Sequence, residues 1–239
     1  MSLTLQDFEI WYWTLMNTQS IGLYNSGLLA GASQLHKHLQ LVPIDSLKEF
    51  RRSTITITAA APSSNAFEVF HPIPIDDIIQ DLISDNTWKS MPKDINANYI
   101  YSLNQFEFEH YFVVLSKNNE NTLVNKDLSV NGYSFYLYSI YVYLLSLAGI
   151  DIERSSPCIP SVNNEQCKEY NLILTETWML LVPRSKTGWA PGITVNCLTF
   201  LGFFLMDYAN YELIHNTPLL SLLKSVGIEP SAPIEGLAT

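Results

Sequence analysis

Between Gly31 and Pro43 the chain reads Gly-Ala-Ser-Gln-Leu-His-Lys-His-Leu-Gln-Leu-Val-Pro, and its second half alternates strictly. His36, His38 and Gln40 take turns with Lys37, Leu39 and Leu41, a period of two that an extended strand resolves into two faces. His36 to Leu41 is therefore expected to be a strand, with two imidazoles and an amide on one side. Upstream, Ile21 to Asn25 reads as a second strand, and the small residues between the two suit a tight loop. Strand, loop and antiparallel strand make a hairpin that displays Asn25 and Gln40 to one place. This commits the chain to a sheet. The expectation is an α+β fold with the His36–Leu41 strand central in an antiparallel sheet and helices covering one face.

The residues of this run suit attack on a phosphate. A neutral imidazole is nucleophilic near neutral pH, and histidine is an accepted covalent catalyst. Gly31, Ala32 and Ser33 are small enough to let backbone N–H groups approach an anion. Two other readings stand beside this one. Histidines at i and i+2 could share a zinc or copper ion, but such a site wants further ligands. His71, His110 and His215 stand alone, and Cys158, Cys167 and Cys197 show no C-x-x-C spacing. No metal site is therefore assigned. A surface strand with incidental histidines would have no need of the Gly-Ala-Ser-Gln loop.

The remaining chain supplies helices and a second hairpin. Leu5 to Met16 carries apolar residues near helical spacing after a cap at Thr4, and a turn follows at Asn17 to Ser20. Asp45-Ser46 reads as the start of a helix over Leu47 to Arg52. Thr54 to Ser64 reads as loop, Phe67 to Phe70 as a short extended piece, and the region from Asp76 to Ser84 as helix. Gln105 to Ser116 is expected to be helical or mixed, and Lys117 to Asn125 a solvent loop. Gly132 to Ala148 reads as an apolar helix whose tyrosines pack in the core. Tyr170–Leu174 and Trp178–Val182 form a hairpin, closed by Pro183-Arg184-Ser185-Lys186. Ile193 to Asn196 is expected as a short strand, Leu198 to Tyr208 as an apolar helix, and Leu219 to Val226 as a helix stopped by Gly227.

Composition removes several function classes. Of the 239 residues, 47% are hydrophobic and 15% charged, which describes a globular chain able to bury a sizeable core. The richest apolar stretch, Tyr136 to Ile150, is too short and too tyrosine-rich to span a bilayer. Asp7 and Glu9 interrupt the amino terminus early, unlike a secretory signal. Scattered cysteines suit a reducing compartment, so a cytoplasmic location is expected. A net charge of −10 disfavours broad nucleic-acid binding. The cations cluster at Lys37, at Lys48, Arg51 and Arg52, and at Arg184 and Lys186; the Lys48–Arg52 group suits a solvated helix face.

The run Tyr24-Asn25-Ser26-Gly27, Gly31-Ala32-Ser33-Gln34 and His36-x-His38-x-Gln40 resembles the signature of diadenosine tetraphosphate (Ap4A) phosphorylases. These are also called ATP adenylyltransferases, a histidine-triad branch near galactose-1-phosphate uridylyltransferase. The last third resembles the same family through Asn171-Leu172-Ile173-Leu174-Thr175, Trp178-Met179, Leu181-Val182-Pro183-Arg184-Ser185 and Leu223-Lys224-Ser225-Val226-Gly227. The likeness runs from about Leu3 to Pro230 and is weakest across Thr54 to Glu169. It implies one histidine-triad-like nucleotidyltransferase domain over 1–239, with the catalytic motif in 1–65 and the carboxy-terminal family region in 165–230. The sheet would be histidine-triad-like and antiparallel, with flanking helices.

By the same resemblance, His38 is the nucleophile that takes an adenylyl group from Ap4A, expelling ATP, and phosphate then receives the group to leave as ADP. His36 would orient the ring of His38. Gln40 stands where hydrolytic relatives have histidine; an amide cannot act as a general acid but can hydrogen-bond a phosphate oxygen. Substrate contacts are expected at Asn25, Gly31, Ala32, Ser33 and Gln34, and more weakly at Asn171, Thr175, Met179 and Arg184. Met179 with Trp178 equally suits a core hairpin, and Arg184 equally suits a salt bridge beside Glu176. A divalent cation (Mg) would accompany the nucleotide. Uridylyl transfer to a sugar phosphate, or nucleotide binding without turnover, are the alternatives. Family members usually carry strands and a lysine before the first helix, and the chain reads as starting after them. An open sheet edge would result, from which a homodimer is expected.

Overall fold

The computed structural model describes residues 1–49, 74–76, 79, 100–101, 103, 106–115, 130–152, 168–204 and 210–230. The first helix, α1 (Leu5–Thr18), begins at a capping box. Thr4 Oγ1 accepts from the Asp7 N–H at 3.3 Å, while the Asp7 carboxylate accepts from the Thr4 N–H at 2.7 Å. Gln19, in a left-handed conformation, ends it. The helix buries Phe8, Trp11 and Leu15. Burial contributes on the order of 1.5–3 kcal/mol per such side chain against about 1 for the cap, so packing dominates and the cap sets the start.

A six-stranded antiparallel sheet follows, in the order β2-β1-β5-β6-β4-β3. Its strands are β1 (Ser20–Asn25), β2 (Leu39–Pro43), β3 (Ile100–Tyr101), β4 (Tyr111–Val114), β5 (Glu169–Leu174) and β6 (Trp178–Arg184). Every residue of β5 and β6 is buried, and both strands read as near-continuous apolar runs because both sheet faces are covered. One face sets Tyr24, Leu172, Leu174, Met179 and Leu181 in a core with Phe8, Trp11, Ile140 and Leu144. These last belong to α1 and to α2 (Val130–Leu147), which pack on each other. The other face sets Ile21, Leu23, Ile173, Leu180 and Val182 in a core with Phe200, Leu222 and Val226. Those come from α3 (Cys197–Phe200) and α5 (Leu219–Val226), between which lies α4 (Tyr211–His215). A small ribbon of β7 (Gly188–Ala190) and β8 (Ile193–Thr194) precedes α3.

The α+β class, α1, the β5–β6 hairpin and α5 match the sequence reading, and α2 buries Tyr141 while leaving Tyr143 partly exposed. Other expectations are corrected. Among the described strands the motif strand is at the sheet edge, not its centre, and it begins at Leu39 rather than His36. Its ladder with β1 stops at the Tyr24–Leu39 pair, and β1 itself ends at Asn25, so His36 and His38 lie outside the strand. Both faces of the sheet are covered, not one. The described part of Gln105–Ser116 holds a strand, β4, because Tyr111 to Val114 pair with Trp178 to Leu181. The helix expected over Leu198–Tyr208 ends at Phe200, and Gly202 turns with φ 97°. The helix expected from Asp45-Ser46 starts one residue earlier and is described at 44–49; that expected at Asp76–Ser84 is described at 74–76 and 79. Gly227 ends α5 in ordinary extended backbone; a Cβ there would come within 2.7 Å of Phe108. Thr54–Ser64, Phe67–Phe70 and Lys117–Asn125 lie outside the described residues.

Candidate active site

Beyond Asn25 the chain folds into a 3-10 turn, Leu28–Ala30. The Ala30 and Ala32 N–H groups donate to the Gly27 carbonyl at 3.1 and 3.0 Å, and that of Gly31 to the Leu28 carbonyl at 3.0 Å. The Leu29 N–H donates to the carboxylate of Glu169, the buried first residue of β5. The loop is therefore built around an internal anion and its own carbonyls. Two glycines make this possible. A Cβ on Gly27 would lie 2.1 Å from Glu169 Oε1, and Gly31, at φ 78°, would press one to 2.5 Å from the Val195 carbonyl. Gly31 and Ala32 accordingly turn their amides inward, while Ser33 and Gln34 are exposed.

Beneath this loop lies a saturated hydrogen-bond centre. Asn171, fully buried on β5, donates to Asn25 Oδ1 at 2.6 Å and to the Ala30 carbonyl at 2.8 Å. Its own oxygen accepts from Arg184 Nη1 at 2.6 Å. Arg184, buried at the end of β6, also donates to the carbonyls of Val195, Lys186, Val226 and Thr187 at 2.9, 2.9, 3.2 and 3.4 Å. Phe200 packs under its guanidinium, 5.3 Å from the ring centre. Burial lowers the Arg184 pKa to about 10, which leaves it charged at neutral pH. Asn25 Oδ1 accepts in addition from the Cys197 N–H at 3.1 Å. The Cys197 thiol contacts the Tyr24 and Leu172 carbonyls, and burial pushes its pKa up to about 12, so it stays protonated.

His36 and His38 stand in the open. Both are exposed, with ring centres 6.0 Å apart and planes at 86°. Between them, Lys37 reaches back to the Asp7 carboxylate at 2.7 Å, which ties the motif to the cap of α1. Burial raises the Asp7 pKa, but the Lys37 ammonium and the Thr4 hydrogen bonds outweigh it and hold the carboxyl below its ordinary value. Gln40 pairs with Leu23, which places it on the same sheet face as Asn25 and Asn171. The last β1–β2 pair is Tyr24 with Leu39, so the ladder stops one residue short of both Asn25 and His38.

Asn25, Gly31, Asn171 and Arg184 thus gather at the sheet end from which the His38 segment leaves. Thr175 and Met179 do not. Thr175 Oγ1 clasps the β5–β6 turn, accepting from the Trp178 and Thr177 N–H groups at 2.9 and 3.1 Å. Met179 is fully buried opposite Leu174 and Val113. Glu169 and Cys197 were not among the sequence candidates. An acid at the head of an apolar strand, two residues from Asn171, was the available signal for Glu169; Cys197 had none. Among the described residues no group of three or more His, Cys, Asp or Glu could hold a metal ion. None of their helices is long and apolar enough to cross a membrane.

Family models match this chain in two places. Residues 1–61 match the Ap4A phosphorylase N-terminal domain, and residues 104–229, more than half the chain, match the ATP adenylyltransferase C-terminal domain. Among solved structures, yeast Ap4A phosphorylase Apa2 is similar in fold, with a TM-score of 0.60 and 20% identity over 97% of this chain and 67% of that one. The Apa2 complex with AMP gives 0.58 and 19% over 98% and 66%. The complex with Ap4A gives 0.59 and 20% over 97% and 66%. The chain thus spans about two thirds of the length of these structures. No curated protein matches.

Proposed function

This chain belongs to the Ap4A phosphorylase and ATP adenylyltransferase family, and from that premise we propose that it transfers an adenylyl group through His38. The observation that carries the reading is the exposed His36–His38 pair, held by Lys37 and leading into Gln40, which pairs with Leu23 on the sheet face that also carries Asn25. A nucleophile must be reached by a bulky, charged substrate, and His38 is open to one.

In this reading a ring nitrogen of His38 attacks the α-phosphorus of Ap4A. The new P–N bond replaces the P–O bond to the β-phosphate, and ATP departs with that bond's electron pair. Phosphate then attacks the adenylyl-histidine; a P–O bond replaces P–N, ADP leaves, and the imidazole is restored. Splitting one displacement into two lowers each barrier. ATP leaves as a stabilised anion, so no general acid is needed at position 40 and Gln40 serves as a hydrogen-bond donor to a phosphate oxygen. Ser33 and Gln34, exposed on the loop, take the substrate contacts. Gly31 and Ala32 shape that loop. Asn171 and Arg184 act through Asn25, as positioning residues, because their own hydrogen bonds are spent inside the fold. Thr175 and Met179 hold the hairpin that carries Asn171.

Incubation with Ap4A and phosphate, followed by nucleotide chromatography, should give ATP and ADP in equal amounts. Without phosphate, intact mass should show one adenylyl group on the wild-type chain and none on His38→Ala. Labelling that survives in the variant would move the nucleophile elsewhere. A chain that forms no adduct and no products would be a nucleotide-binding protein instead.

A further inference from the structure

A cleft of about 650 Å³ opens between the end of β6 and α5, with Leu29 of the glycine loop in its wall. The chain carries a net charge of −10, yet among the described residues Lys168, Arg184, Lys186 and Lys224 line this cleft against one lining carboxylate, Glu229. Such a concentration of cations in an acidic protein marks the one sign of ligand the cleft would attract.

Arg184 is the centre of the case. Its hydrogen bonds go to the Asn171 side-chain oxygen and to four backbone carbonyls, all neutral. Its charge is solvated but not cancelled. Glu169, opposite Arg184 in the β5–β6 ladder, offsets part of that charge through its field, but it forms no ion pair with the guanidinium and is itself bonded to the loop. A buried cation of this kind projects its field into the nearest opening. Lys186, exposed two residues later, makes no ion pair among the described residues. Lys224 pairs with Glu107 at 2.6 Å, but both partners are largely exposed, and such a pair is readily exchanged for a stronger anion. Lys168 gives one hydrogen to the Ala148 carbonyl and lies 3.9 Å from Glu109.

We propose that this cleft binds a chain of several phosphate groups, gripped by Lys186 and Lys224 with Arg184 as the buried source of positive potential. The volume falls in the range of small-molecule sites, far more than a lone phosphate fills, and the spread of cations suits a polyphosphate. The adenylyl-transfer reading supplies only the chemical class of the ligand, so the two stand or fall separately.

The test is calorimetric titration of the whole chain with tripolyphosphate at low salt, beside Lys186→Ala/Lys224→Ala and His38→Ala. The wild type and His38→Ala should bind one equivalent alike, and the double lysine variant at least tenfold more weakly with an unchanged unfolding midpoint. Equal affinity in the double variant overturns the proposal. So does loss of binding in His38→Ala with the lysine variant intact, which would place the anion at the histidines. Orthophosphate and ATP arms identify the source. ATP binding no tighter than tripolyphosphate assigns the cleft to a free inorganic chain, and much tighter, competitive ATP binding assigns it to a nucleotide. Tripolyphosphate binding no tighter than orthophosphate overturns the multi-phosphate claim.

Discussion

Two regions at one end of the sheet handle polarity in opposite ways. Around Arg184 and Asn171 each named side-chain donor is matched to an acceptor in the interior. A few residues away His36 and His38 lie exposed, their segment held by one ion pair through Lys37. A satisfied buried network is rigid because any loosening strands a polar group without water. An exposed segment loses little when it moves or meets a ligand. The first region is built to hold a shape and the second to react, so their substitutions should separate cleanly into stability and activity.

The largest separation is expected between Arg184→Ala and His38→Ala. Removing the guanidinium orphans the Asn171 oxygen and buried carbonyls, which should cost on the order of 3–5 kcal/mol. Denaturant unfolding would read this as a much lower midpoint, or as failure to fold. His38→Ala should stay within about 0.5 kcal/mol of the wild type, as exposed positions do. Comparable losses from both would dissolve the distinction between the regions.

Intermediate effects belong to the loop joining them. Gly31→Ala must hold a left-handed conformation and meet the Val195 carbonyl, costing about 1–3 kcal/mol. Gly27→Ala meets the end of the Glu169 side chain instead, and that end can swing aside at the expense of the Leu29 hydrogen bond, about 1 kcal/mol. Glu169→Ala should then absorb most of the Gly27→Ala penalty and none of that of Gly31→Ala. Thermal unfolding of the two double variants measures this; simple additivity in both would mean the loop is not built on the carboxylate.

The smallest effect concerns the Lys37 tether. The Asp7 pKa is lowered in the fold, so its contribution to stability is present above the ordinary carboxylate value and fades as pH falls through the lowered one. The small difference in midpoint between wild type and Lys37→Ala should therefore persist from pH 7 down to about 4 and close below that, and high salt should shrink it throughout. A difference that survives at pH 2 would show that Lys37 acts through packing rather than charge.

Local signals made much of this legible. Thr4 with Asp7 marks a helix start, Thr175-Glu176-Thr177 between apolar runs marks a hairpin, and the His-x-His-x-Gln run points to the open segment. What the sequence hid is non-local. Nothing in Leu39 to Pro43 says that β2 has one neighbour rather than two among the described residues, since strand order depends on where β5 and β6 insert. Alternation predicted a strand from His36, but a strand needs a partner and the ladder with β1 stops at the Tyr24–Leu39 pair. Arg184 read equally as a substrate contact or as a salt bridge beside Glu176, because nothing near it in sequence supplies the acceptors at Asn171, Val195 and Val226 that let it be buried.

The pairing of β1 with β5 sets the order in which this molecule can be made. Asn25 and Asn171 face each other across the sheet though 146 residues separate them in sequence. During synthesis β1 and β2 leave the ribosome well before β5, with Ile21, Leu23 and Tyr24 not yet packed against it, and a ribbon of two strands is marginal in water by itself. Their inner neighbour does not yet exist. Contacts of such long sequence separation form slowly, and the waiting strands are the segment most exposed to wrong partners. The motif that would do the chemistry is thus translated early and seated late, and a chain cut short before Leu174 would carry both histidines on an unfinished sheet.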